Sequence, residues 1–191
     1  MLAVNRRLAG LALGGALALG GTAAVPAVAD GGAVEAPARA VCHTPVGNSL
    51  IHQRWAALGG ASGWMGCPTS GTRDVYVNNI YQGKRQYFAH GNITTSRAQG
   101  SRMVVAAWEA NGYAHFNWGP TNPYHYDVFL FRYTSAADPQ GRQGQVGGGS
   151  SGLIRVRKET TGSYTFRVEG CDRTIWGLKC KQGWTLSATT N

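Results

Sequence analysis

Residue types that could carry chemistry are present but scattered. Gly148-Gly149-Ser150-Ser151-Gly152 satisfies G-x-S-x-G literally, a pattern that presents a serine nucleophile only on a strand-to-helix elbow. It lies in a glycine-rich run with no helical period after it, so it reads as composition. The five histidines, His43, His52, His90, His115 and His125, form no H-E-x-x-H. None shares a helix face with a second His or a carboxylate at ligand spacing. Beyond the N-terminal tail the acids are Asp74, Glu109, Asp127, Asp138, Glu159, Glu169 and Asp172, and no two are marked as the flanking carboxylates a glycosidase needs. There is no P-loop and no G-x-G-x-x-G. A nucleophile, a base and an orienting group are therefore not assembled by sequence. The expectation is a non-enzyme with no catalytic residues, no metal site and no cofactor.

Aromatic residues and cysteines are the more informative types. The chain has six Trp and eight Tyr. Trp55 and Trp118 sit at core positions, whereas Trp64, Tyr76, Tyr81, Tyr87 and Trp176 lie next to turns. Exposed aromatic faces stack on sugar rings while nearby polar groups bond the hydroxyls. Trp64, Tyr76, Tyr81 and Tyr87 are accordingly candidate glycan-binding residues, against the plainer alternative of packing in a small glycine-rich module. Trp176 is a candidate protein contact, since Trp is favoured at binding hot spots. The four cysteines, Cys42, Cys67, Cys171 and Cys180, allow three pairings. Proximity favours Cys42 with Cys67 and Cys171 with Cys180, each closure adding about 2–4 kcal/mol. Zinc would call for C-x2-4-C spacing, which is absent.

These residues act outside the cytoplasm if the N-terminus is what it resembles. Arg6 and Arg7 precede the apolar run Leu8 to Leu19, and Ala27-Val28-Ala29 follows Pro26. That is the three-part order of a secretory signal, and it places cleavage after Ala29, with Ala40 the weaker site. The apolar run is shorter than the roughly 20 residues a spanning helix requires and is broken by Gly14 and Gly15. No later stretch is long and apolar enough to cross a bilayer. The full chain is +9, and loss of the two arginines leaves about +7, a charge that attracts acidic surfaces such as wall polymers and phospholipid headgroups. The basic residues are dispersed and not ranked on one helix, so nucleic acid is not an expected partner.

The elements that would position these groups divide the chain. Residues 30–41 read as a flexible tail. In 42–100, Ile51, Trp55 and Leu58 mark one face of a helix over Ser49–Leu58, capped by Asn48 or Ser49 and ended by Gly59-Gly60. Two short strands follow, 75–77 and 85–88, separated by Asn78 to Lys84. From 101 to 191 short β runs recur, at 103–108, 114–118, 126–133, 153–158, 164–169 and 184–188. That pattern predicts an antiparallel sandwich, with Gly141 to Gly152 as a mobile loop.

Two resemblances attach to these segments. Ile51-x-x-x-Trp55-x-x-Leu58-Gly59-Gly60-x-x-Gly63-Trp64-Met65-Gly66-Cys67-Pro68, with Phe88-x-x-Gly91-x-Ile93 later, resembles the LGFP repeat of exported and wall-associated actinobacterial proteins. It departs at Met65, where Leu is usual, and at Cys67, where an aromatic is common. It is also a single copy, without the multivalency of an array. His115-Phe116-Asn117-Trp118, Tyr126-Asp127-Val128 and Gly162-Ser163-Tyr164-Thr165-Phe166 resemble strands B, C and F of a fibronectin type III domain. Tyr164 stands at its tyrosine-corner position. Together the resemblances imply a mainly β chain organised as 1–29 signal peptide, 30–41 flexible N-terminal tail, 42–100 LGFP-type α+β module and 101–191 fibronectin type III-like β-sandwich. The function they imply is a secreted binding protein that attaches to cell-wall polysaccharide or other extracellular glycan through the LGFP-like module. The other expectation is a secreted protein–protein adaptor or inhibitor working through the sandwich loops.

Overall fold

The computed structural model describes residues 40–191. The signal segment, 1–29, and all but the last two residues of the tail, 30–41, lie outside the described residues. What is described belongs to one compact unit, Pro37–Asn191. It is mainly β, with one short helix.

Helix α1 spans Ser49–Ala57, where the apolar spacing places it. Asn48 Oδ1 accepts from Leu50 N at 3.0 Å and Ile51 N at 3.1 Å, satisfying two of the amides a helix start leaves unpaired. Gly59, at φ 97°, ends the helix in the left-handed conformation that glycine adopts without penalty.

Strands β1 (Arg73–Val77) and β2 (Ile80–Phe88) form a hairpin. Its turn is only Asn78-Asn79, both left-handed at φ 50° and 63°, a geometry that fits the right-handed strand twist. This is why β2 begins at Ile80 and not beyond Lys84. Next come β3 (Gly91–Thr95), β4 (Val104–Ala110), β5 (Tyr113–Gly119) and β6 (Tyr126–Thr134). The chain ends with β7 (Arg142–Gly149), β8 (Gly152–Arg157), β9 (Thr165–Thr174), β10 (Gly177–Lys179) and β11 (Ala188–Thr189). One antiparallel sheet has six strands in the order β1-β2-β3-β4-β5-β8; the other runs β10-β9-β6-β7, with β11 on β9. Since β3 and β4 pair from Asn92↔Ala107 to Thr95↔Val104, the segments on either side of residue 100 contribute to one sheet.

The run Gly141 to Gly152 departs from the loop expected of it. Its first part is β7, paired with β6 from Tyr133↔Arg142 to Tyr126↔Gly149. Glycines in this run, and Gly170 on β9, make room for rings on the neighbouring strand. A Cβ on Gly144 would sit 2.4 Å from Phe131, one on Gly152 would sit 2.2 Å from Trp118, and one on Gly170 would sit 2.2 Å from Tyr126. Composition that reads as loop is thus a sheet with aromatic side chains laid across it.

Two apolar clusters define three layers. Between the sheets lie Val105, Ala107, Phe116, Trp118, Phe129, Phe166 and Val168 with their neighbours, and the Phe116 and Phe166 rings stack at 4.5 Å. On the other face of the six-stranded sheet, Ile51, Met65, Phe88, Ile93, Val104, Ala106 and Trp108 pack beneath α1. Strand β4 alternates between the two clusters, as a period of two dictates. Both disulfides follow sequence proximity: Cys42 is bonded to Cys67 and Cys171 to Cys180. Tyr164, buried just before β9, accepts from Glu159 N at 2.7 Å and so fixes the turn that leads into that strand. Among the described residues no helix is long and apolar enough to cross a membrane.

Candidate functional site

Trp64 is placed by a tight turn after α1. Gly60–Ser62 form a 3-10 turn, and Trp64 N donates back to Leu58 O at 3.1 Å. Glycine is required at 63, because a Cβ there would meet Leu58 O at 2.0 Å. Trp55 Nε1 donates to Gly66 O at 2.8 Å, locking the far side of the turn to the helix. Met65 then points into the outer cluster while Trp64, its neighbour, is half-exposed. The indole borders a shallow depression of about 460 Å³ lined by Ala57, Leu58, Gly59, Ser62 and Gly63.

The depression ends on an aromatic stack supplied by the sheet. His115 of β5 lies 6.4 Å from Trp64 at an interplanar angle of 20° and 5.2 Å from Trp108 at 8°. Tyr113 meets His115 edge-on at 6.3 Å, and the Arg155 guanidinium sits 5.2 Å above the Tyr113 ring. Burial lowers the His115 pKa from its ordinary value; the Arg155 charge acts in the same direction, and a backbone hydrogen bond with Ala110 opposes both. At neutral pH the imidazole is therefore an uncharged ring in a stack. These partners were not singled out by sequence as site residues. The alternation of β5 marks only that Tyr113, His115 and Asn117 face away from buried Ala114, Phe116 and Trp118; it does not place Trp108, which is on β4, or say that Trp64 meets this face.

The other aromatic candidates occupy different places. Tyr76 and Tyr81 are register partners on the β1–β2 hairpin, with ring centroids 5.7 Å apart. Tyr81 also borders a cleft of about 500 Å³ with Arg97, Tyr124 and Asn48. Tyr87, exposed on β2, pairs across the ladder with Asn92. The structure thus brings Tyr76 and Tyr81 together, while Trp64 stacks with His115 and none of the three tyrosines. Trp176 stands at the tip of the β9–β10 hairpin, 91% exposed.

Ser150 lies between β7 and β8, a strand-to-strand connection. Among the described residues the close-set potential ligands are Glu169, Cys171 and Cys180, and both sulfurs are committed to a disulfide, leaving no thiolate to bind a metal.

Compared with known proteins, the chain matches no family model, no curated protein and no solved structure.

Proposed function

We propose that this chain is an exported, non-enzymatic binding protein that attaches to cell-wall or other extracellular glycan through the face centred on Trp64. The observation that carries the reading is a half-exposed indole lying near-parallel to His115, which in turn stacks on Trp108, at the rim of an open depression. A sugar ring stacks on the exposed face of such an indole, and Ser62 at the rim offers a partner for a hydroxyl. The resemblance of 51–68 to the LGFP repeat points to wall glycan as the target. Two disulfides suit an oxidising compartment, and the basic balance suits an acidic surface.

The test is pelleting of the protein lacking residues 1–29 with isolated actinobacterial cell wall, beside Trp64→Ala. Binding is expected to survive salt beyond the range in which surface charge is screened. The substitution should weaken it at least about tenfold, the usual loss on truncating an aromatic anchor. Absence of pelleting at low salt, or equal loss of wild type and variant as salt rises, removes the reading.

A further inference from the structure

The β9–β10 hairpin leaves the body of the protein. Strand β9 pairs with β6 as far as Cys171↔Val128. Beyond that it pairs only with β10, through Asp172↔Lys179, Arg173↔Leu178 and Thr174↔Gly177. The Cys171–Cys180 disulfide closes its base. Its two-residue tip, Ile175-Trp176, is held by Thr174, whose Oγ1 donates to Gly177 O at 2.9 Å and accepts from Trp176 N at 3.2 Å. Both tip side chains are 91% exposed, and Leu178 behind them is also exposed. Single exposed apolar residues are ordinary on a protein surface. Two adjacent large ones at the end of a disulfide-closed arm are held away from any burial the protein could offer them.

The charge around the tip indicates what it meets. Arg173 and Lys179 are exposed on the arms and Lys181 just beyond Cys180; two acids stand at the base, Asp172, 3.7 Å from Lys181, and Asp127, whose Oδ2 accepts from Arg173 N at 2.8 Å, so the cations remain in excess. Along a strand, Arg173 and Lys179 sit two to four residues behind the tip, about 7–13 Å at strand rise. Interfacial segments bury their apolar groups about 5–10 Å into the boundary between headgroups and acyl chains. A tip at that depth sets the cations at the level of lipid phosphates. Tryptophan is enriched at that interface. A bilayer also closes around a convex tip, whereas a protein would need a pocket shaped to it.

We propose that the Ile175–Trp176 hairpin is a lipid-docking finger that inserts shallowly into a bilayer containing anionic headgroups, with Arg173 and Lys179 contacting the phosphates. The finger is separate from the Trp64 face and does not depend on glycan binding there.

The experiment is co-sedimentation of the protein lacking residues 1–29 with vesicles of phosphatidylcholine, with and without phosphatidylglycerol. Neither vesicle carries glycan, so the result is independent of the wall assay. Binding is expected to the phosphatidylglycerol vesicles. It should fall at least about tenfold in the Ile175→Ser/Trp176→Ser double variant, which loses two buried apolar groups, and about fivefold for each cation changed to Gln. The thermal midpoint of the double variant should match wild type, since the tip packs on nothing. Trp176 emission should shift to the blue on vesicle addition, a change absent from Trp176→Phe. Equal binding by wild type and the double variant overturns the proposal, as does no vesicle binding. Tip-dependent capture of one secreted protein without vesicle binding also overturns it and assigns the finger to a protein partner.

Discussion

The two faces of the six-stranded sheet are held by different means. Its inner face meets the second sheet through stacked aromatic rings, Phe116 on Phe166 and Trp118 near Phe129, all fully buried. Its outer face carries a smaller apolar cluster supplemented by polar ties. Gln86, fully buried, donates to Pro45 O at 2.8 Å and Ser70 O at 2.9 Å and accepts from Thr72 Oγ1 at 2.9 Å. Cys42–Cys67 closes the same region. A thin layer of helix and turns cannot bury enough surface to stand by packing alone, so covalent and hydrogen-bonded ties supplement it. The Trp64 face is built on this tied layer, and its partner His115 is built on the packed sheet.

Truncation in the inner core should produce the largest effect. Phe166→Ala removes a ring packed on two sheets and should cost about 3–5 kcal/mol, read as a shift of the whole cooperative denaturant transition. If the shift is confined to probes on one sheet, the two sheets do not share a core. On the outer face, Gln86→Leu leaves two carbonyls and a hydroxyl without their partner and should cost about 2 kcal/mol. Hydrogen exchange should speed up first in 42–88 and only later in β6 and β9. Uniform acceleration would dissolve the distinction between a tied layer and a packed one.

The smallest effect is electrostatic and sits on the outer face, at His115. His115 has a lowered pKa in the folded state, so the unfolded chain takes up a proton first as pH falls below the ordinary histidine range. Folded stability is then complete above that range and declines below it. Thermal midpoints measured from neutral pH down to about pH 5 should fall less steeply in His115→Gln than in wild type. Equal slopes would mean that His115 protonation does not strain the stack.

Much of this architecture was legible beforehand. Ile51, Trp55 and Leu58 give the helix, with Asn48 or Ser49 open as its cap, and alternation gives β8 and the first half of β9. Trp64 was legible as an aromatic beside glycine turns. Its neighbours His115 and Trp108 were not, because they come to it from strands about 50 residues away and only sheet pairing aligns them. β3 is not legible because Gly91-Asn92-Ile93-Thr94-Thr95 is largely polar, yet it is buried throughout and joins β2 to β4 inside the sheet. The glycine-rich run misled for a related reason: the bulk that fills β7 and β8 belongs to rings on other strands.

Those ring-on-glycine contacts also bear on how the sequence can drift. Phe131 with Gly144, Trp118 with Gly152 and Tyr126 with Gly170 each join residues on different strands. A methyl group gained at the glycine has nowhere to go while the ring remains. A ring lost leaves a trough that only a larger residue at the glycine can fill. Each pair is therefore coupled in space: a change at one member alone must be met by movement or replacement of the other.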